Sequence, residues 1–410
     1  MERHHVFLLT SLAVTVYLFV VRLLRYQRRD SIPRTYGMVD RSDFPKMSAD
    51  KAQAILSDLI EIEFPTLWRQ SIIFAIFKTY GIPTIAQLLA NTSELQGTET
   101  ASKRVADTGV LIKEMTLNPS SSPRTLQAIA RMNYLHSRYI KAGKISNDDM
   151  VYTLGLFALE PTRWIGKYEW RQLTDVELCA LGTFWKDVGD KMEIDYSPLP
   201  SASEGWQDGL HWLTEMRVWG EKYEENHMIA AEPNAKLTRA LVDILFDGMP
   251  QSIKSIGTLV VAAVVPERLR IATMLPTPPQ VYVIGFQTIM YLRKLVLRYL
   301  LLPRPEFLRV VNISRKPEPS GRYTNEEWLT HPWYVKATLW RRWGPNAWIG
   351  RLQGSKLPGD DGEKYYPQGY LIAEVGPKRT EKQGGVEMRA DVDKMHARFG
   401  SCPFAMSLKA

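Results

Sequence analysis

Cysteine is scarce in this chain, because Cys179 and Cys402 are the two cysteines among 410 residues. Two thiols are too few for the disulfide framework that stabilises small secreted domains, so that class of protein is excluded. Cys179 falls in a stretch with helical apolar spacing, and we interpret it as an inert core residue. The small number of cysteines is compatible with the cytosol.

Several motifs that carry chemistry are also missing. The seven histidines form no His-x-x-His or His-x-x-x-His pair, which argues against a membrane di-iron hydroxylase or a zinc hydrolase. The chain has no Gly-x-Gly-x-x-Gly, P-loop or Gly-x-Ser-x-Gly motif. The net charge of +8 could suit nucleic acid or an anionic membrane surface. No nucleic-acid-binding motif accompanies the charge, so the membrane is preferred and no nucleic-acid partner is expected.

Alternating strand patterns are few, and most of the chain has helical spacing. The sequence therefore predicts a mainly α protein built as a single large helical domain with extensions. Ser146 is expected to cap a helix that ends near Leu159 because of Pro161. The Thr174-x-x-Glu177 spacing predicts a capping box that opens a helix to about Lys191.

The N-terminus is dominated by one apolar run, since residues 6–21 carry no charge and Leu23 and Leu24 extend the run beyond Arg22. A run of this length predicts a transmembrane helix, and Arg22 can snorkel to the interface. A cleaved signal peptide is the alternative, disfavoured by the lack of a small-x-small cleavage site. Four arginines within residues 22–29 follow the run, so the positive-inside rule places the rest of the chain in the cytoplasm.

The predicted organisation follows from these segments. Residues 1–5 form a short lumenal N-terminus, 6–24 the transmembrane anchor, 25–48 a basic juxtamembrane linker, 49–378 the large helical domain and 379–410 a flexible tail. Residues 281–302 are apolar but include Arg293, Lys294 and Arg298. We interpret that segment as a buried or membrane-surface helix, with a second span as the alternative.

One helix carries the candidate site. Ser122 is the predicted N-cap, Pro123 the first helical residue, and Gly143 the stop signal of a helix over residues 123–142. At helical spacing His136 lies on the apolar stripe of this helix. An inward-facing imidazole could bind a haem iron or another metal, or it could be a core histidine bonded to a backbone carbonyl.

A second helix is predicted over residues 102–115, with Arg104 and Thr108 one turn apart on one face. This Arg-x-x-x-Thr motif, followed by Ala130-Arg131-x-x-x-x-His136, resembles the core of the rubber oxygenase (latex-clearing protein) domain. The wider chain is similar to the fungal ER-bound oxygenases of meroterpenoid pathways, the mycophenolic acid type in particular. The short sequence stretches that carry this similarity lie at residues 77–84, 169–180, 342–345 and 364–370. The resemblance covers about residues 50–378.

The resemblance implies a globin-like haem-binding core in which His136 is the proximal iron ligand of haem b and dioxygen is the co-substrate. Arg104 and Thr108 would flank the haem pocket, with Arg104 bonded either to dioxygen or to a haem propionate. Asp107 stands where the latex-clearing enzyme has a lysine that can bind iron, so this chain departs from that pattern. Asp107 is then either a catalytic base or part of a helix-surface salt bridge. Arg131 is either a propionate partner or a solvent-facing charge.

The expected function is a single-pass ER-membrane oxygenase that cleaves a carbon–carbon double bond in the prenyl (farnesyl) side chain of a meroterpenoid such as a mycophenolic acid precursor. Its product would be a shortened aldehyde or acid, handed on to other enzymes of the pathway. The alternatives are a non-catalytic haem- or lipid-binding membrane protein, and an oxygenase of the same fold that acts on another terpenoid or fatty chain.

Overall fold

The computed structural model describes residues 2–92, 97–247, 249–352, 354–398 and 403–404. Cys402 and the end of the predicted tail lie outside the described residues. Over these ranges the protein is mainly helical, as predicted, and forms no β-strand; two isolated β-bridges join Ile313 to Asn325 and Tyr323 to Tyr370.

The α-helices of the described residues are α1 (Glu2–Arg25), α2 (Gln27–Tyr36), α3 (Ala49–Asp58), α4 (Pro65–Thr79), α5 (Pro83–Asn91), α6 (Thr98–Thr116), α7 (Pro123–Lys141), α8 (Asn147–Tyr168), α9 (Asp175–Lys191), α10 (Gly209–His227), α11 (Glu232–Leu245), α12 (Gln251–Val264), α13 (Glu267–Ala272), α14 (Gln280–Tyr299), α15 (Leu339–Trp343), α16 (Pro345–Leu352) and α17 (Gly385–Arg398).

Local sequence signals set several helix ends where they were predicted. The Ser122 hydroxyl accepts from the backbone N–H of Thr125 at the start of α7, and Gly143 takes a φ of 65° just beyond its end. Thr174 and Glu177 form the capping box that opens α9. These caps satisfy backbone N–H groups that the first helical turn leaves without partners.

The predicted end of α8 near Leu159 is wrong, because the helix continues through Pro161 to Tyr168. A proline inside a helix costs about 3 kcal/mol. Beyond it, Ile165 and Tyr168 are buried in the core. Burying two large side chains contributes about 1.5–3 kcal/mol each, which offsets that cost.

The core lies where α3, α8, α9 and α10 meet, around the fully buried rings of Phe184, Trp185 and Trp212. Helices α9 and α10 approach closely at two glycines. A Cβ on Gly182 would lie 1.9 Å from the carbonyl oxygen of Gly209, so this crossing requires glycine. The contact fixes α9, one wall of the cavity described below.

Residues 3–19 of the N-terminal helix are exposed. Arg3–Tyr36 is the one stretch of the described residues that is by itself long and apolar enough to cross a membrane. The region after it is not the linker that was predicted. Residues 27–36 form α2, and Ile32, Met38, Phe44 and Met47 are buried in the main core. Their burial attaches the N-terminal helix firmly to the rest of the protein.

The C-terminal region also differs from the prediction of a flexible tail after residue 378. Residues 385–398 form α17, which packs on α7 with Met388 and Met395 buried. The many charged residues of this segment predicted a flexible tail, but Met388 and Met395 are buried and hold the helix against α7. Helix α14 has no buried residue, so of the two interpretations of residues 281–302 the buried helix is excluded and the membrane-surface helix is kept.

Candidate active site

A cavity of about 320 Å³ lies between helices α4 to α9 and is closed on one side by residues 376–379. Most side chains that line it are apolar; among them are Ile76, Phe77, Leu88, Leu111, Met115, Met132, Met150, Phe157 and Val188. Ligand sites are usually concave and apolar with few polar groups, and this cavity has that character. We call it the His136 cavity.

His136 lines this cavity, on the stripe that the spacing of α7 predicted. Its ring nitrogen Nδ1 is buried and has no hydrogen-bond partner among the described residues. The alternative of a core histidine bonded to a backbone carbonyl through Nδ1 therefore does not apply. Burial, followed by the positive charge of Arg104, lowers the pKa of His136 to about 4. The imidazole is neutral at physiological pH, which is the form that binds a metal.

Arg104 and Thr108 come from α6, and both line the His136 cavity, so the predicted shared face is confirmed. The guanidinium of Arg104 is near enough to His136 to affect its titration. None of the ion pairs among the described residues includes Arg104. The cavity thus brings together a neutral imidazole, a cation free to bind an anion, and a hydroxyl.

Asp107 does not lie on the helix surface as the salt-bridge interpretation required, because its side chain is buried. The Tyr334 hydroxyl donates to its Oδ1 at 2.6 Å, and Lys103 Nζ donates to its Oδ2 at 3.0 Å. Lys103 also donates to the Gly376 carbonyl oxygen at 2.6 Å. Burial raises the pKa of Asp107, while Lys103 and Tyr334 act in the opposite direction. The Asp107 carboxylate lines the cavity, but its hydrogen bonds to Lys103 and Tyr334 give it a structural role.

Arg131 is also not solvent-facing, because it is fully buried. Its guanidinium donates to the backbone carbonyls of Val375 (2.7 Å), Thr380 (2.9 Å) and Gln383 (2.9 Å). It is not among the residues that line the His136 cavity. The structure therefore gives Arg131 a role that the sequence did not suggest: it holds the segment that closes the cavity.

Three further residues of the cavity wall were missed from the sequence. Tyr80 is buried at the cavity, and burial raises the pKa of its hydroxyl. Lys144 and Arg379 are exposed residues on the rim, and Arg379 donates to the Tyr139 hydroxyl at 3.2 Å. Tyr80 lies in the stretch at residues 77–84 that resembles the ER-bound oxygenases, so that resemblance could have identified it. Nothing local distinguishes Lys144 or Arg379 from other surface cations.

The side chains present fit a haem. A haem iron needs one protein ligand, and the unpartnered, neutral imidazole of His136 can supply it. Arg104, Lys144 and Arg379 offer cations for carboxylate groups such as haem propionates. Within the described residues, no three His, Cys, Asp or Glu side chains come together as a metal site.

Known proteins that are similar to this chain are ER-bound oxygenases of Penicillium. The chain matches no family model. It is 40% identical over 389 residues to the ER-bound oxygenase mpaB' of Penicillium brevicompactum, covering 95% of this chain and 92% of that protein. It is 39% identical over 381 residues to the ER-bound oxygenase mpaB of the same organism, covering 93% and 91%. For the ER-bound oxygenase mpaB of Penicillium roqueforti the identity is 37% over 258 residues, covering 63% and 87%.

Proposed function

This chain belongs to the family of fungal ER-bound oxygenases represented by these Penicillium proteins, and we propose that it is a haem-dependent oxygenase that cleaves a carbon–carbon double bond in a prenyl side chain. The observation that carries the proposal is the buried, unpartnered Nδ1 of His136 in a largely apolar cavity. The substrate is a meroterpenoid with a farnesyl chain, such as a mycophenolic acid precursor, and the product is a shortened aldehyde or acid.

In this proposal His136 holds haem b in a globin-like core, and the rim cations Lys144 and Arg379 bind its propionates. Haem supplies the activation of dioxygen when it is bound. The protein provides a dry pocket, because the cavity walls are mainly apolar and exclude competing water. Arg104 and Thr108 donate hydrogen bonds toward negative charge that develops on oxygen, and such preorganised donors stabilise a transition state.

The prenyl chain is proposed from the character of the walls. Isoleucine, leucine, methionine and phenylalanine side chains surround the space beside His136. Burial of an apolar chain there contributes about 0.8 kcal/mol for each methylene removed from water. The same walls would accept another terpenoid or a fatty chain, so a series of substrates of known chain type decides between these possibilities.

We propose a single-pass topology with the catalytic domain in the cytoplasm. Helix α1 is apolar and exposed, and its C-terminal end carries Arg22 and Arg25. Arginines beside a span remain on the cytoplasmic side. A glycosylation reporter fused to the C-terminus should stay unmodified in microsomes, whereas glycosylation of Asn312 in the natural chain would contradict this topology.

An absorption spectrum of the purified full chain tests the haem directly. We expect a Soret band in the wild type, its loss in His136→Ala, and its retention in His227→Ala, which changes an exposed histidine on α10. Full haem content and activity in His136→Ala would refute His136 as the ligand. A Soret band without oxygen-dependent turnover of any prenyl substrate would favour the alternative, a non-catalytic haem- or lipid-binding protein, for which the apolar cavity is the supporting observation.

A further inference from the structure

A second cavity, of about 150 Å³, lies on the opposite side of α6 from His136. Along α6, Arg104, Thr108 and Leu111 face the His136 cavity, while Ser102, Ala106, Gly109 and Lys113 face the second cavity. The two cavities share five apolar lining residues: Ile73, Ile76, Val105, Ile112 and Leu329. They therefore adjoin across apolar side chains between α4 and α6.

The second cavity exists because α6 presents small residues at this point. Ala106 and Gly109 face the isoleucines and Trp68 of α4 across open space. A Cβ built on Gly109 would meet no atom within 4 Å. Protein interiors are normally close-packed, so an apolar space of this size beside a reactive cavity is room that a ligand can fill.

One end of the second cavity carries a charged cluster of Arg69, Lys113 and Glu327. Lys113 Nζ lies 3.0 Å from Glu327 and donates to Asn325 Oδ1 at 2.9 Å, and Arg69 lies 3.0 Å from the same carboxylate. The neighbouring Glu326 is paired with Arg341. Two cations with one carboxylate leave one positive charge in excess, which suits an acidic group on a ligand.

We propose that the second cavity extends the substrate site: it takes an apolar chain segment beyond the reacting double bond, and the Arg69–Lys113–Glu327 cluster binds an acidic group of the same molecule. This inference rests on the proposed function, and it defines the substrate class as an elongated prenyl compound that bears an anion. The chain passes between α4 and α6, with its reacting carbons beside His136.

Filling the second cavity with a larger side chain tests whether an apolar segment of the ligand occupies it. Gly109→Leu places a side chain in the second cavity without touching the His136 cavity, and Gly166→Leu on α8, where a Cβ also meets nothing, is the matched control. Displacing two methylenes of ligand should weaken binding of a C15 prenyl carboxylate at least about tenfold by calorimetry. A C5 prenyl alcohol, which lacks the acidic group and is short enough to lie in the His136 cavity alone, should bind both variants like the wild type, and the Soret band should remain.

Equal binding of the C15 probe to Gly109→Leu and wild type would overturn the inference and leave the proposed oxygenase intact. A wild type that lacks haem and turnover would refute the proposed function while the binding experiment still reports on the cavity. The two failures are therefore distinguishable.

Removing the positive charge of Lys113 tests whether the cluster binds an acidic group of the ligand. Lys113→Met should raise the Kd for the C15 carboxylate about tenfold, because a charge-assisted hydrogen bond is lost. The C15 methyl ester should bind unchanged, and Lys113→Arg should restore the carboxylate. Equal weakening of acid and ester would show a merely structural effect and overturn this part of the proposal.

A different observation concerns α14, whose apolar side chains face outward. Val281, Ile284, Ile289 and Leu292 are between 54% and 70% exposed. The end of this helix contacts the membrane span, since the Tyr17 hydroxyl donates to the Leu300 carbonyl at 2.7 Å and Arg25 donates to that of Leu301. Tyr17 lies roughly 12 Å along α1 from Arg25, at 1.5 Å per residue.

These contacts fix the depth of α14: if α1 crosses the bilayer, Leu300 lies beside Tyr17 inside it and Leu301 lies beside Arg25 at its cytoplasmic edge. We infer that α14 is inserted into the cytoplasmic leaflet, with lipid as the partner of its exposed apolar side chains. Lys294 lies on the same helix, where it can snorkel toward headgroups, while Arg293 is paired with Glu169 just after α8.

Fluorescence quenching in liposomes tests this insertion. In the full chain with Cys402→Ser, Ile289→Cys carries an environment-sensitive dye and the lipids carry nitroxide quenchers on their acyl chains. We expect strong quenching at position 289 and none at Val218→Cys, a control on α10 that is 60% exposed. Quenching at a label on Val14→Cys without quenching at position 289 would overturn the inference.

Discussion

The Nε of Arg131 donates a hydrogen bond to the carbonyl oxygen of Val375 at 2.7 Å, joining α7 to the segment that closes the His136 cavity. The same guanidinium donates to the carbonyls of Thr380 and Gln383, so one side chain holds residues 375–383 at three points. The helix that presents His136 thereby also fixes the neighbouring segment that closes the cavity.

Arg131→Lys should lower the free energy of unfolding by about 3 kcal/mol, because a lysine cannot satisfy three separated carbonyls and buried unpaired groups are costly. Chemical denaturation measures this, and hydrogen exchange should rise at residues 375–383. Arg138→Lys, on the exposed side of the same helix, is the control and should change stability by less than about 0.5 kcal/mol. An unchanged exchange rate at residues 375–383 would contradict the role assigned to Arg131.

Arg104→Ala should keep its Soret band while product formation falls by about 10²–10³, since that is the usual effect of removing one preorganised donor. Thr108→Val should show a milder loss, because a neutral hydroxyl contributes less than a charged donor. Both are measured by product yield per bound haem. If Arg104→Ala loses haem and its activity simply follows occupancy, Arg104 is a propionate anchor.

Asp107→Ala should be strongly destabilising, by about 2–4 kcal/mol, because it leaves the buried Lys103 without its nearest carboxylate. On a helix surface the same change would cost under about 1 kcal/mol. Thermal unfolding distinguishes the two. A double-mutant cycle with Tyr334→Phe should give a coupling energy above about 0.5 kcal/mol, since the hydroxyl donates directly to Asp107.

The titration of His136 should appear in the stability of the haem-free protein. Its pKa is lowered from 6.5 to about 4 by burial. Between these values the unfolded chain binds a proton that the folded protein does not, so the free energy of unfolding falls as the pH falls from 6.5 to 4. We expect this fall to be about 2 kcal/mol smaller in His136→Gln. Parallel pH profiles for variant and wild type would contradict the assigned burial of His136.

Much of the candidate site could be predicted from the sequence because it depends on local rules. The Ser122 cap, Pro123 and the apolar spacing determine where α7 begins and that His136 lies on its inner face. The four-residue separation of Arg104 and Thr108 determines that they share one side of α6. The apolar run at residues 6–21 and the overall similarity to ER-bound oxygenases are likewise properties of the sequence alone.

What stands opposite each face was decided only by the tertiary structure. The sequence places Asp107 on the same helix as Arg104. Its partner Tyr334, and the Gly376 carbonyl that binds Lys103, come from more than two hundred residues away. Arg131 and Arg379 gain their roles from the fold of residues 375–383 in the same way. Helical spacing orients a side chain relative to its own helix, whereas burial and partners come from long-range packing that no local pattern contains.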